Sequence, residues 1–240
     1  MPRMAILEHF SGEDLEPFGD AIRSHARSAA TMEGSAQKTV DLLWAELLAE
    51  DGRPALALVR LYKTHPYGKL PEELRAFARG MLEEDPAPET RCLTLLATRG
   101  LEPDWNDRRK SEGHQAIPLP SVEFVRRLPM VAGLIDQIGL DLADVVRPDR
   151  ARVAELARKN YDVFHVPEAR GSEFVPAQGF VERYGVTAAL GFGGVLFSGD
   201  FYAVVLFSRE PISAGVADRL RVLSLATRVS LMPFGTRVFA

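Results

Sequence analysis

The centre of the fold is predicted by residues 187–208, which read TAALGFGGVLFSGDFYAVVLFS. Two apolar runs flank Ser198-Gly199-Asp200, and such a turn between apolar runs is typical of a β-hairpin. The second run, Phe201 to Ser208, is continuously apolar, which is typical of a strand that is buried on both faces. We therefore predict a hairpin whose second strand lies at the centre of a sheet.

The glycines of this stretch resemble a phosphate-binding loop only at first sight. A dinucleotide-binding fingerprint needs Gly-x-Gly-x-x-Gly between a strand and a helix, because the helix N-terminus binds the phosphate. In Gly191-Phe192-Gly193-Gly194 the sixth position is Leu196, and another strand follows. The glycines instead indicate a bend or bulge in a closely packed sheet.

Outward from the hairpin, apolar periodicity predicts further strands and helices. Strands are predicted near 55–63, 91–98 and 163–166; helices near 35–50, 72–82, 121–127, 129–138, 142–146, 149–159 and 214–230. Residues 99–120 are predicted to form a long polar loop. The predicted fold class is α+β, a central antiparallel sheet flanked by helices, with an N-terminal helical extension. We divide the chain into an N-terminal helical segment, 1–52, and one domain, 53–240.

The N-terminal segment carries an apolar stripe at helical spacing. Its members are Val40, Leu43, Trp44 and Leu47. The stripe either pairs with a second copy of the chain, giving a homodimer, or covers the chain's own sheet. Both interpretations are open.

Composition limits the classes of function. The chain has 240 residues, with 29 basic and 33 acidic side chains and a net charge of −4. Neither sign forms a long block, which argues against nucleic-acid binding. The first ten residues lack the pattern of a signal peptide, and no apolar run reaches the ~20 residues of a membrane span. We expect a cytoplasmic protein with no membrane partner.

No catalytic residue and no metal site emerge from the sequence. Cys92 is the single cysteine, so a disulfide within the chain and a multi-cysteine zinc site are excluded. It lies in an apolar run, which indicates a small buried thiol. The histidines show no metal-ligand spacing on one helix, and the Gly-x-Ser-x-Gly nucleophile motif is missing.

One region has the composition of a ligand pocket. His165 lies in an apolar strand that leads into the mixed polar and aromatic segment 168–178. His165 is either a buried histidine bonded to backbone or a ligand contact, and the segment is either a pocket wall or a packed connection. The candidate pocket residues are His165, Ser172, Phe174, Gln178, Phe192 and Arg209.

Several segments resemble GAF-like sensory regions of the kind found upstream of bacterial histidine kinases. They are Lys63–Tyr67, His114–Pro120, Phe164–Val166, Gly171-Ser172, Val175–Gln178, Leu190–Gly194 and Ala203–Arg209. The resemblance covers roughly residues 55–232. It implies a GAF/PAS-like antiparallel sheet, a ligand pocket beneath its loops and dimerisation through terminal helices.

The resemblance implies a function but no particular ligand. GAF domains bind cyclic nucleotides, tetrapyrroles and small metabolites, and the cysteine arrangement that attaches bilins has no counterpart here. The cofactor is therefore left unassigned, with neither haem nor bilin supported. We expect a non-catalytic bacterial signal-transduction input domain that binds a small molecule, a partner protein, or both. Its partners would be a histidine kinase or other output module and a second copy, with the signal relayed through helix packing.

Two alternatives remain. The chain could be a protein-interaction scaffold with no small ligand, or an enzyme of unrecognised type. The enzyme would be indicated if His165, Gln178 and Arg209 met in one cleft.

Overall fold

The computed structural model describes residues 4–239 and contains one large sheet. The strands are β1 (Ala5–Ile6), β2 (Leu47–Leu48), β3 (Leu56–Pro66), β4 (Arg91–Gly100), β5 (Ala116–Leu119), β6 (Phe164–Val166), β7 (Ala188–Val195) and β8 (Phe201–Ser208). Strands β3 to β8 form an antiparallel sheet in the order β5-β4-β3-β8-β7-β6, while β1 and β2 pair separately in parallel.

Helices cover both faces of this sheet. They are α1 (Gly12–Ser28), α2 (Met32–Glu46), α3 (Glu72–Arg79), α4 (Val122–Arg126), α5 (Pro129–Gln137), α6 (Leu142–Val146), α7 (Val153–Leu156), α8 (Gln178–Tyr184), α9 (Ala214–Arg221) and α10 (Leu223–Leu231). Helices α1, α2, α9 and α10 bury one face in a first core, and α4 to α8 bury the other in a second core. The predicted α+β class, with a central antiparallel sheet flanked by helices, is confirmed.

Strand β3 lies at the centre of the sheet, between β4 and β8. Its side chains alternate between the two cores, with Val59 and Leu61 in the first and Leu58 and Tyr62 in the second. The same two-sided burial explains the continuously apolar sequence of β8, whose predicted central position is confirmed.

The predicted hairpin of β7 and β8 is also confirmed, but the predicted bend or bulge is wrong. The two strands pair in unbroken register from Ala188↔Ser208 to Val195↔Phe201. A Cβ atom on Gly193 would lie 2.1 Å from the Tyr202 carbonyl oxygen. The glycine is therefore required by close approach of the backbone.

Three local predictions need correction. The predicted loop 99–120 contains strand β5, and its Pro118 is compatible with a strand because β5 is an edge strand. Thr64 to Pro66 continue β3 beyond residue 63, where the strand was predicted to end. The predicted terminal helix is divided into α9 and α10 at Val222.

The N-terminal helices belong to the first core. Helix α1 begins after Ser11, whose hydroxyl and amide both bond to Asp14. Helix α2 begins after Thr31, whose hydroxyl accepts from the Gly34 amide. The division into 1–52 and 53–240 stays a prediction.

Among residues 4–239, none of the helices combines the length and apolar character of a membrane span.

Candidate functional site

The structure contains two depressions that could hold a small molecule. The loop pocket, about 370 Å³, is lined by residues 165–168 and 170–174. The sheet-end cavity, about 620 Å³, lies where β3 ends and β4 and β8 begin. Its walls are formed by Met32, Lys63, His65, Pro66, Lys69, Arg91, Pro148, Arg150, Val153, Leu196, Phe197, Ser198, Asp200, Leu231, Met232, Gly235, Thr236, Val238 and Phe239.

The charged floor of the sheet-end cavity is an extension of the central strands. Lys63 lies opposite Tyr202 in the β3–β8 ladder, so its side chain emerges on the sheet face of the first core. Asp200 ends the hairpin turn before β8, and Arg91 begins β4. The antiparallel order brings all three to one end of the sheet.

Asp200 joins two cations in a buried network. The Lys63 ammonium donates to Asp200 Oδ2 at 2.7 Å, and Arg91 Nη1 donates to Asp200 Oδ1. The Ser198 hydroxyl also donates to Asp200 Oδ2, at 2.7 Å. The side chains of Lys63 and Asp200 are only 4% and 12% exposed. Two positive charges therefore share one carboxylate with little access to water.

The network shifts the pKa values of its members. Burial raises the pKa of Asp200, but the charge and hydrogen bond of Lys63, with Ser198 and Arg91, outweigh burial and hold that pKa below its usual range. Burial lowers the pKa of Lys63, and Asp200 opposes this effect. We assign the ionised form to both, because the two groups form a direct ion pair with Lys63 Nζ 2.7 Å from Asp200 Oδ2.

His65 is the unusual group of the cavity. It is 5% exposed, and neither ring nitrogen makes a hydrogen bond of acceptable geometry within residues 4–239. Burial, and then the Lys63 charge, lower the pKa of His65 to about 3, against smaller opposing effects of Asp200 and the Lys63 backbone. A neutral imidazole thus has an unpaired donor and acceptor beside the cavity. Buried polar groups are normally paired, so this position is suited to a ligand.

The roof of the cavity includes residues 235–239, here called the C-terminal strap. The Arg237 and Val238 carbonyls accept from the Met32 and Glu33 amides at 2.9 and 2.8 Å. These amides are in the first turn of α2, where the helix itself offers no acceptor. The strap is therefore fastened to the start of α2.

Phe239 anchors the end of the strap. Its ring centroid is 5.3 Å from that of His65 and 5.2 Å from the Arg108 guanidinium carbon. Arg108 is itself buried and paired with Glu33, with Nε at 2.7 Å from Oε1. The aromatic ring thereby closes the cavity beside the unpaired histidine.

Three of the predicted pocket residues line the loop pocket. They are His165, Ser172 and Phe174. His165 is half-buried, and its Nε2 lies 2.8 Å from the Ile212 carbonyl oxygen; its role as a ligand contact stays a prediction. The Ser172 hydroxyl accepts from the Phe174 amide, and the Phe174 ring packs edge-on against Phe164.

The other three predicted pocket residues line neither depression. Gln178 braces the segment, accepting from the Gly171 amide and donating to the Ala169 and Val175 carbonyls. Phe192 is fully buried in the first core. The Arg209 amide donates to Ala55 beyond the end of β8. The six candidates are therefore not assembled into one site.

The predicted dimer stripe faces the chain's own sheet. Val40, Leu43 and Leu47 have no exposed surface, and Trp44 packs partly buried against the same core. These side chains follow the second interpretation of the stripe, in which it covers its own sheet. Homodimerisation by another surface stays a prediction.

The sequence did not single out the residues of the sheet-end cavity. Lys63 and His65 are two positions apart, but Arg91 and Asp200 are far from them and from each other in the chain. The only local signal was the pair of polar residues Lys63 and His65 beside an apolar strand. Among the described residues one group has metal-ligand spacing, Glu8, His9 and Glu50, and it lies mostly at the exposed surface.

Comparisons with known proteins give weak structural likenesses. No family model and no curated protein matches the chain. The GAF domain of an Acinetobacter phosphoenolpyruvate-protein phosphotransferase is 13% identical, with 92% of this chain and 94% of that chain covered and a TM-score of 0.41. The phycoerythrobilin-bound GAF domain of a cyanobacterial phytochrome is 13% identical, with 90% and 95% covered and a TM-score of 0.41. An N-acylhomoserine lactone-dependent transcription factor of the LuxR family from Burkholderia cenocepacia is 15% identical, with 92% and 97% covered and a TM-score of 0.39.

GAF domains occur among these similar structures. TM-scores near 0.4 assign the chain neither a family nor a ligand. The association with bacterial histidine kinases stays a prediction.

Proposed function

We propose that the chain is a non-catalytic bacterial signal-transduction input domain that binds a small molecule in the sheet-end cavity. One observation carries the proposal: the unpaired, buried His65 beside the Lys63–Asp200–Arg91 network in a cavity of about 620 Å³. Such groups are not expected in a closed apolar core, because their burial costs free energy unless they are paired.

The chemistry of the cavity favours binding over catalysis. A general base works best with a pKa near the working pH, and the pKa of His65 is lowered to about 3. The Ser198 hydroxyl donates a hydrogen bond to Asp200, but the lowered pKa of Asp200 makes this carboxylate a weak base for activating the hydroxyl. Cys92 is fully buried, and burial raises the pKa of its thiol to about 12.

The C-terminal strap supplies a route for the signal. A ligand that displaces Phe239 would loosen the strap, which is bonded to the first turn of α2. Helix α2 packs on β4 and α10, so its shift would alter helix packing on that face of the sheet. Different ligand affinities of the two arrangements make such binding a signal. The partner that receives the signal would be a histidine kinase, another output module or a second copy of this chain.

The test is native mass spectrometry of the protein purified from cells, combined with thermal-shift screening of metabolites. We expect a bound mass or a stabilising metabolite for the wild type, lost in His65→Phe. Ser172→Ala is the matched control in the loop pocket and should behave like the wild type.

Two results would contradict the proposal. A ligand lost in Ser172→Ala but kept in His65→Phe would move the site to the loop pocket. Absence of any bound or stabilising molecule would favour the scaffold with no small ligand.

A further inference from the structure

The walls of the sheet-end cavity carry an excess of positive charge. Lys63 and Arg91 on the floor and Lys69 and Arg150 on the exposed rim face a single carboxylate, Asp200. Lys69 and Arg150 have no ion pair among residues 4–239. The field inside the cavity therefore favours an anion and repels a cation.

The floor also has unused hydrogen-bond donors. An ammonium has three N–H groups. Lys63 donates two of them, to Asp200 and to the Thr64 carbonyl, and one remains. A guanidinium has five N–H groups in a planar fork, and the recorded bond of Arg91 runs from Nη1 to Asp200. Asp200 already accepts from Lys63, Arg91 and Ser198, so the remaining donors can bind a further acceptor that enters the cavity.

The roof is apolar, in contrast with the floor. Phe197 and Met232 are 50% and 44% exposed although both are large hydrophobic side chains. Leu196, Val238 and Phe239 complete this apolar wall. An apolar wall with a few placed polar groups is the usual construction of a small-molecule site.

From these observations we infer that the ligand is an organic anion, with a carboxylate or phosphate head on the Lys63–His65–Arg91 floor and an apolar body under the roof. This inference rests on the proposed function and names the chemical class of its ligand. His65 contributes a neutral N–H donor to the head group, and Lys69 and Arg150 attract the anion to the entrance.

Matched pairs of compounds test the inference by titration calorimetry. The probes are 2-naphthoate and 2-naphthyl phosphate, with uncharged 2-naphthamide as the control for the apolar body and inorganic phosphate as the control for the head group. We expect at least one naphthyl anion to bind about tenfold or more tightly than 2-naphthamide and inorganic phosphate. The stronger of the two anions identifies the head group. Binding should weaken with added salt, because the rim charges are exposed.

Rim variants keep the buried network intact and so keep the fold. Lys69→Gln and Arg150→Gln should each weaken anion binding about two- to fivefold, the range of an exposed charge pair. Arg127→Gln removes an exposed charge directly after the end of α4, on the other face of the sheet, and should leave binding unchanged.

The results that would overturn the inference can be distinguished from a failure of the proposed function. Equal affinity for the naphthyl anions and 2-naphthamide overturns the anionic class and leaves ligand binding in the cavity intact. Equal affinity for 2-naphthyl phosphate and inorganic phosphate overturns the apolar body. If no naphthyl anion binds, the inference is overturned, while a cell-derived ligand in the native mass spectrum still supports the proposed function.

Discussion

Replacing Asp200 with asparagine tests whether the charged floor is as desolvated as its geometry indicates. Asparagine keeps the size of the side chain but removes the charge that Lys63 and Arg91 share. It also offers one acceptor oxygen in place of two. Lys63, whose side chain is 4% exposed, would then be a buried cation without a counter-ion.

The expected loss of stability follows from that burial. Removing one partner of a buried ion pair costs about 3–5 kcal/mol. We expect the lower end, about 3 kcal/mol at pH 7, because the asparagine oxygen can still accept one hydrogen bond from the cations that Asp200 joins. Urea unfolding followed by circular dichroism should show a lower midpoint with an unchanged m-value. Asp20→Asn, in an exposed pair with Arg23, is the control and should change stability by less than about 0.5 kcal/mol.

The pH dependence of the same variant gives a second check. The folded-state pKa of Asp200 is lowered, so its stabilisation is present above the unfolded pKa of about 3.9 and is lost as the pH falls through the folded value. The gap between wild type and Asp200→Asn should be constant from pH 7 to 5 and narrow below about pH 4. A gap below about 1 kcal/mol at pH 7 would refute the reasoning.

Three further predictions concern single positions. The pKa of His65 falls to about 3 on folding, so as the pH falls the unfolded state binds a proton before the folded state does. The free energy of unfolding should therefore drop below pH 6.5, by about 2 kcal/mol at pH 5. Urea unfolding of His65→Phe should show a smaller drop over this pH range, and an unchanged pH dependence would contradict the prediction. Gly193→Ala puts a methyl group against the Tyr202 carbonyl and should lower the free energy of unfolding by more than about 3 kcal/mol. The control Gly179→Ala has open space around it on α8 and should stabilise the fold by up to about 1 kcal/mol. Equal melting temperatures of the two variants would disprove the close approach at Gly193. Cys92, with its pKa raised to about 12, should resist a disulfide reagent at pH 8 until urea unfolds the chain, and rapid native labelling would be the opposite result.

The predictable part of the fold is encoded by local patterns. The apolar run of β8 requires burial on both faces, and Ser121, whose hydroxyl accepts from the Phe124 amide, marks the start of α4. Strand β5 escaped prediction because Pro118 is typical of a loop, and only its edge position next to β4 allows it in a sheet. The sheet order itself arises from contacts between segments distant in the chain.

The candidate site could not be predicted for the same reason. Lys63 and Asp200 are separated by 137 positions, and Arg91 and Asp200 by 109. No spacing rule connects such residues, because they meet only through the β3–β8 and β3–β4 pairings. The predicted pocket around His165 followed a local composition, and that composition defines only the smaller loop pocket.

The floor and the roof of the sheet-end cavity are formed by different kinds of structural element. The floor is built into the central strands, where an exchanged side chain disturbs the whole sheet. Phe197, Met232 and Phe239 of the roof lie on a turn and the last described residues, outside the sheet ladders. Substitutions of the exposed Phe197 and Met232 change the shape of the cavity at little cost in folding, whereas Phe239 also packs against His65 and Arg108. The charged floor is thus fixed by the sheet and part of the roof can vary, so directed evolution limited to Phe197 and Met232 should alter ligand preference while the melting temperature stays nearly constant.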